Sequence, residues 1–174
     1  MTGPMMPDHG LTPGGLEVTA SQGNIDATVS AIRAYCGWHV WPVRVEMLVV
    51  DGDGGSVLTL PTLHVTDVES IEENGIALAS GSFEWSASGD VQRFDRSWST
   101  RFRGYRVAVT HGYEACPFTA LVGSVAAEVA NAGNGQITQV GPFQFSYGSS
   151  SAAQAILPYR GTLDLYRLPA LPCL

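Results

Sequence analysis

A few groupings of residues carry side chains able to do chemistry, and their spacing decides what that chemistry would be. Asp51-Gly52-Asp53-Gly54-Gly55 sets two carboxylates among glycines, as the opening of a calcium loop does. An EF-hand needs a bidentate Glu at its twelfth position, and Thr62 stands there. The segment is therefore read as a turn, because Gly and Asp tolerate the positive φ that tight turns demand. Cys36 and His39 supply half of a zinc site, but no second close Cys or His pair completes four ligands. His39 is read instead as a partly buried histidine beside Trp38 and Trp41. His111, Glu114 and Cys116 contain the parts of a thiol nucleophile and its base. Such pairs are assembled in space by a pocket, so nearness along the chain is weak support. The stretch from Arg93 to Arg103 interleaves Arg93, Arg96, Arg101 and Arg103 with Phe94, Trp98 and Phe102. Stacking with cationic contacts suits single-stranded nucleic acid. The preferred reading is a strand pair whose arginines face acidic surface of another subunit, since the chain as a whole has the wrong charge for DNA capture. No Gly-rich phosphate loop, Ser-centred elbow or paired-carboxylate signature occurs. The expectation is no catalytic residue, no metal and no cofactor.

The elements that must position these residues follow from periodicity. Ile25, Val29, Ile32 and Cys36 recur at helical spacing, with Asn24 available as a cap, Asp26 and Arg33 matching the helix dipole, and Gly37 as a stop, which predicts a helix over 24–36. From Val43 the period changes to two (Val43, Val45, Met47, Val49), and the Asp-Gly run before Val57-Leu58-Thr59-Leu60 suggests a hairpin. Asn74-Gly75 is a tight-turn dipeptide, and further strands are expected at 76–79, 82–86, 91–94 and 105–110. A second helix is predicted over about 117–131, led by Pro117 and followed by alternation from Gln136 to Tyr147. A short helix over 151–157, capped by Ser151, is expected to stop at Pro158. Residues 1–20 are rich in Pro and Gly and are read as a flexible arm, and 161–174 as an extended tail, leaving 21–160 as the folded domain with a β insert over about 43–110. The fold class is α+β, a small helical body carrying an antiparallel β insert.

Composition narrows the function classes. With 174 residues the chain supports one domain with a sizeable core. Hydrophobic residues make up 45% and charged ones only 14%, which leaves weakly polar surface suited to contact with other subunits. A net charge of −7 argues against a protein that neutralises phosphates. No apolar run approaches a membrane span, and the first residues lack the basic start and apolar middle of a secretion signal, so assembly in the cytoplasm is expected. Cys36, Cys116 and Cys173 are scattered and odd in number, which fits reduced thiols.

Ala31-Ile32-Arg33-Ala34-Tyr35-Cys36-Gly37-Trp38-His39-Val40, Leu58-Thr59-Leu60-Pro61-Thr62-Leu63-His64-Val65 and Val107-Ala108-Val109-Thr110-His111-Gly112-Tyr113 together resemble the head-to-tail adaptor (head-tail connector) family of long-tailed bacteriophages. Val140-Gly141-Pro142-Phe143 and Leu157-Pro158-Tyr159-Arg160 resemble that family's closing strand and final helix end. The likeness covers residues 20–168, and a second Tyr166-Arg167 pair departs from the common pattern. It implies a non-catalytic virion protein of the neck, a dodecameric ring below the portal that extends the channel for double-stranded DNA without binding it specifically. It also implies docking of the stopper or tail proteins, and no membrane. Within such a ring the clustering of Arg93, Phe94, Arg96, Trp98, Arg101, Phe102 and Arg103 suggests a subunit interface, with Trp98 among the aromatic anchors. Tyr159, Arg160, Tyr166, Arg167 and Leu168 are the expected docking residues for portal or tail. The alternatives are a stopper or tail-terminator completion protein, a β-rich ligand-binding module, and a small enzyme of unrecognised type.

Overall fold

The computed structural model describes residues 8–133, 137–140, 143–146 and 151–169. The fold is α+β, and the chain forms two compact units: Met1–Gly37 with Cys116–Arg167, and Trp38–Ala115 with Leu168–Leu174. The first unit is thus mainly helical and is built from segments on either side of the β-rich middle of the chain.

In the helical unit a short α1 (Pro13–Leu16) precedes α2 (Gln22–Cys36). Ser21 caps α2, its hydroxyl accepting from the Asn24 N–H at 3.3 Å, so the helix starts before Asn24 and Asn24 is a first-turn residue. Gly37 ends it in the left-handed region at φ 83°. The buried face holds Ile25, Val29, Ile32 and Cys36, joined by Thr28, whose hydroxyl is made compatible with burial by donating to the Asn24 carbonyl at 2.8 Å. That face packs on α3 (Thr119–Gly133), which buries Val122, Val125 and Ala126. Antiparallel strands Ile137–Val140 and Phe143–Ser146 follow.

The two ends of the chain depart from expectation. Residues 8–20 are not a loose arm: His9 is buried, its Nε2 lies 3.0 Å from Asp26 Oδ1, and the Gln22 amide donates to the Leu11 carbonyl at 3.0 Å. Pro and Gly composition registers helix breaking but not this pinning by side-chain hydrogen bonds. The remainder of the expected arm, residues 1–7, lies outside the described residues. At the other end, Ser151 and Gln154 form a capping box on α4 (Ala152–Ala155). Pro158 then sits early in a 3-10 turn, where its missing N–H costs nothing, and the chain continues through α5 (Arg160–Leu163) and a second 3-10 turn, Asp164–Tyr166. The stretch read as an extended tail is helical over these residues, and 170–174 lie outside the described part.

The β unit comprises β1 (Arg44–Val50), β2 (Val57–Thr59), β3 (Val65–Glu73), β4 (Ile76–Ala77), β5 (Phe83–Trp85), β6 (Asp90–Arg93) and β7 (Tyr105–His111). All pairings are antiparallel, in a four-stranded sheet ordered β1-β7-β3-β4 and a three-stranded sheet ordered β2-β6-β5. The hairpin expected across the Asp-Gly run does not form: β1 pairs with β7 and β2 with β6, so that run carries the chain from one sheet to the other. Asn74 and Gly75, at φ 54° and 84°, do make the tight β3–β4 turn. The sheets share one core, to which the first gives Val50, Val65, Val68, Ile71, Tyr105, Val107 and Val109 and the second Leu58 and Val91, closed by Leu60 and Trp98.

Candidate functional site

The arginine and aromatic stretch separates into an inner and an outer set. Strand alternation on β6 turns Val91 and Arg93 inward and Gln92 outward. Arg93 is therefore buried, and its guanidinium meets Glu73 Oε2 at 3.0 Å and both carboxylate oxygens of Asp95 at 2.7 and 3.0 Å. Trp98 is also a core residue, its indole N–H donating to the Val91 carbonyl at 3.1 Å and its ring meeting Tyr105 edge-on. Neither is available as an anchor for a neighbouring subunit, which corrects the expectation for Arg93 and Trp98. Glu73 is the hub of this network. It accepts from Arg93, from Arg96 at 2.6 Å and from the Tyr105 hydroxyl at 2.9 Å, and these donors hold its carboxyl below the ordinary glutamate range despite the opposing effect of burial. Phe94, Arg96, Arg101, Phe102 and Arg103 remain on the surface, with Phe102 81% exposed.

A second exposed apolar feature lies on β1. The period-two residues Val45, Met47 and Val49 point outward at 63%, 52% and 44% exposure, while Glu46, Leu48 and Val50 take the inner side. Register places Val45 beside Thr110, Met47 beside Ala108 and Val49 beside Arg106 on β7, which itself pairs with β3 at Asp67, Ser70 and Glu72. The outer sheet face grades from an apolar edge strand to a charged strand. An exposed apolar row on an edge strand is a surface that soluble monomers avoid.

On the inner side of the same sheet, two histidines that lie far apart in sequence meet. His111 ends β7 opposite Arg44, which makes Glu46 its diagonal neighbour on β1, and His111 Nε2 lies 3.2 Å from Glu46 Oε2. The ring of His39 sits edge-on to that of His111 at 4.4 Å, with its Nε2 3.0 Å from the Pro42 carbonyl. Trp38 stacks over His111 at 6.4 Å. His39, Glu46 and His111 each place one ligand atom within 4.8 Å of the others. Burial pushes the His111 pKa down, against the raising effect of Glu46, so the ring is held towards its neutral form. Sequence spacing had set His39 with Cys36. The partner that the fold supplies is His111, whose approach depends on the β1–β7 register and is invisible to local spacing.

The other groupings resolve differently. Asp51 Oδ1 accepts from the Arg103 N–H at 2.6 Å and Asp53 Oδ1 from the Gly55 N–H at 2.8 Å, so both carboxylates fasten turns. Cys36 is fully buried and its thiol is pushed up to about 11 by desolvation; burial likewise raises Cys116. Thiols shifted upward are poor nucleophiles and poor candidates for metal binding. Among the expected docking residues, Arg160 and Arg167 are exposed, Tyr159, Tyr166 and Leu168 half-buried, and Tyr166 meets Phe118 edge-on at 4.7 Å. The Arg167 guanidinium lies 5.0 Å from the Tyr35 ring centre, and the Tyr35 hydroxyl donates to Asp164 at 2.6 Å. Leu165 beside them is 77% exposed. No helix among the described residues is long and apolar enough to cross a membrane.

No protein-family model and no curated protein matches the chain. Solved structures do. A chain in the neck of a native GTA particle, computed with C12 symmetry, superposes with a TM-score of 0.62 at 14% identity, covering 97% of this chain and 95% of that one. A chain in the neck of an empty GTA particle, computed with C6 symmetry, gives 0.49 at 16% identity over 99% and 87%. The α+β fold of this chain is shared, nearly end to end, with a chain of a particle neck.

Proposed function

We propose that this chain is a structural subunit of the neck of a phage-like particle, the adaptor that forms a ring below the portal, extends the DNA channel and docks the stopper or tail. The observation that carries the reading is the shared fold over 97% of this chain and 95% of the neck chain. The surface agrees with it. A closed ring needs two different faces on each subunit, each burying on the order of 800 Å². The exposed Val45-Met47-Val49 row and the outer set Phe94, Arg96, Arg101, Phe102 and Arg103 are the candidate faces. Arg160, Arg167 and Leu165 offer a mixed cationic and apolar patch for portal or tail. A net charge of −7 suits a channel through which double-stranded DNA passes without being held. The role is mechanical and non-enzymatic, with assembly in the host cytoplasm and residence in the virion neck.

Electron microscopy of particles carrying the wild-type chain, Met47→Glu or Phe102→Ser tests this reading. A ring of this chain in contact with the portal is expected for the wild type, with reduced ring occupancy in the variants although each purified variant stays folded. Density for the chain one tier further from the portal would assign it to the stopper or tail terminator instead. Its absence from the neck would refute the proposal.

A further inference from the structure

We infer that His39, Glu46 and His111 form a binding site for one borderline divalent cation of the zinc, cobalt or nickel class, a clip that ties the segment before β1 to the end of β7. The inference stands on the β unit alone and is independent of the neck reading. Two imidazoles and a carboxylate are a ligand set suited to zinc-class ions and unlike the all-oxygen sets of calcium and magnesium. Metal–ligand lengths of about 2.0–2.1 Å place tetrahedral ligand atoms about 3.3 Å apart. His111 Nε2 and Glu46 Oε2 already stand at 3.2 Å, and the whole set lies within 4.8 Å, so closure on an ion needs a side-chain adjustment of the order of an ångström, not a refolding.

The surroundings are built in a way that a merely convenient pair of histidines does not require. His111 is 2% exposed, and its Nδ1 is buried with no hydrogen-bond partner among the described residues. That atom is not the nitrogen that faces Glu46, so a cation held through Nε2 leaves it unchanged, and the site rests on how the backbone places the two rings. Val40, next to His39, is fully buried in the left-handed region at φ 64°, a conformation that β-branched residues avoid, and the Tyr113 N–H holds its carbonyl at 2.8 Å. Gly112 has φ 108°, and a Cβ there would lie 2.5 Å from His39 Nε2 and 2.8 Å from the Pro42 carbonyl oxygen. The backbone on both sides is bent to bring one imidazole against the other. Trp38 and Tyr113 wall the rings, while Glu46, whose side chain is 37% exposed, gives the entry path. One group opposes a cation: the Arg44 guanidinium sits 2.6 Å from Glu46 Oε2, the same oxygen that His111 meets. Arg44 is itself 42% exposed and free to swing out into water.

The test is titration of the full-length, chelator-stripped chain with Co(II), read by visible ligand-field absorption, and with Zn(II), read by calorimetry. One ion per chain is expected, with Glu46→Gln weakening binding at least ~10-fold and His111→Asn abolishing it. Arg44→Gln is expected to tighten binding, since it removes the competing cation, and His9→Gln, in the helical unit, to leave it unchanged. The surface positions Arg44 and Glu46 keep the test decisive even if His111→Asn fails to fold. Absence of ligand-field bands in the wild type, equal affinity for wild type and Glu46→Gln, or weaker binding by Arg44→Gln would each overturn the site.

Discussion

Replacing Glu73 by Gln probes the hub of the β unit with little change of shape. The carboxylate accepts three hydrogen bonds: from Arg93 at 3.0 Å, Arg96 at 2.6 Å and Tyr105 at 2.9 Å. Both arginines bond Oε2, so an amide oxygen placed there keeps their geometry while its NH2 faces the Tyr105 hydroxyl, and what the substitution removes is the negative charge that assists these bonds. The Arg96 bond counts for little, because that side chain is 62% exposed and recovers water, as surface pairs worth at most about 1 kcal/mol do. The Arg93 bond matters more, since its side chain is 3% exposed. Breaking a buried pair outright costs about 3–5 kcal/mol, but Arg93 keeps its two bonds to Asp95, so the expected loss falls to about 2–3 kcal/mol, near the worth of a charge-assisted bond. All four tryptophans, Trp38, Trp41, Trp85 and Trp98, lie in the β unit, so urea unfolding followed by tryptophan fluorescence reads this unit directly. The pH dependence has a defined sign. The Glu73 carboxyl is held below its unfolded value, so its contribution is present above the ordinary glutamate range and is lost as pH falls through the depressed folded value. The gap between wild type and Glu73→Gln should therefore shrink on acidification. A difference below about 0.5 kcal/mol at neutral pH, the size of an ordinary surface change, or a gap that widens in acid, would refute this account of the hub.

Three further outcomes follow from burial and close approach. Trp98→Ala should destabilise the β unit by about 3–5 kcal/mol in the same fluorescence assay, while Phe102→Ala, at an 81% exposed position, should stay within about 0.5 kcal/mol. Gly52→Ala should cost at least about 1–3 kcal/mol, because its Cβ would run into the Ser99 carbonyl oxygen and the Tyr105 ring, and a melting temperature equal to wild type would contradict that packing. Cys36, buried with its thiol at about 11, should resist alkylation in the native protein at neutral pH and react on unfolding, as mass spectrometry of labelled peptides would show.

What the sequence made legible was whatever depends on neighbours within a few residues. The helical stripe Ile25, Val29, Ile32 and Cys36 is the buried face of α2 because 3.6-residue periodicity is a local property. The Asn74-Gly75 turn is likewise set by its own two residues. Illegible were the features decided by which strand lies beside which. The Asp-Gly run looks like a hairpin from either flank, yet β7 and β6, from the far side of the insert, take the pairing partners. The Arg93 stretch shows the same limit within one strand. Its basic and aromatic composition suggested an outer surface, while the alternation of Val91 with Arg93 already placed that arginine inward, where Glu73 and Asp95 compensate it.

That same alternation gives β1 two separate tasks. Its even-numbered residues face inward, where Glu46 meets His111 and Val50 joins the core, and its odd-numbered residues turn three apolar side chains to solvent. A strand needed only for folding would carry polar residues on its outer side, as half-buried antiparallel strands do. Folding therefore does not account for Val45, Met47 and Val49, and the proposed ring contact would, through burial of an edge that otherwise invites uncontrolled pairing. Met47→Glu separates the two tasks: the solvent-facing change should leave the fluorescence-detected unfolding midpoint near wild type while lowering incorporation into particles. A large loss of stability would show instead that the row belongs to the folding core of the subunit.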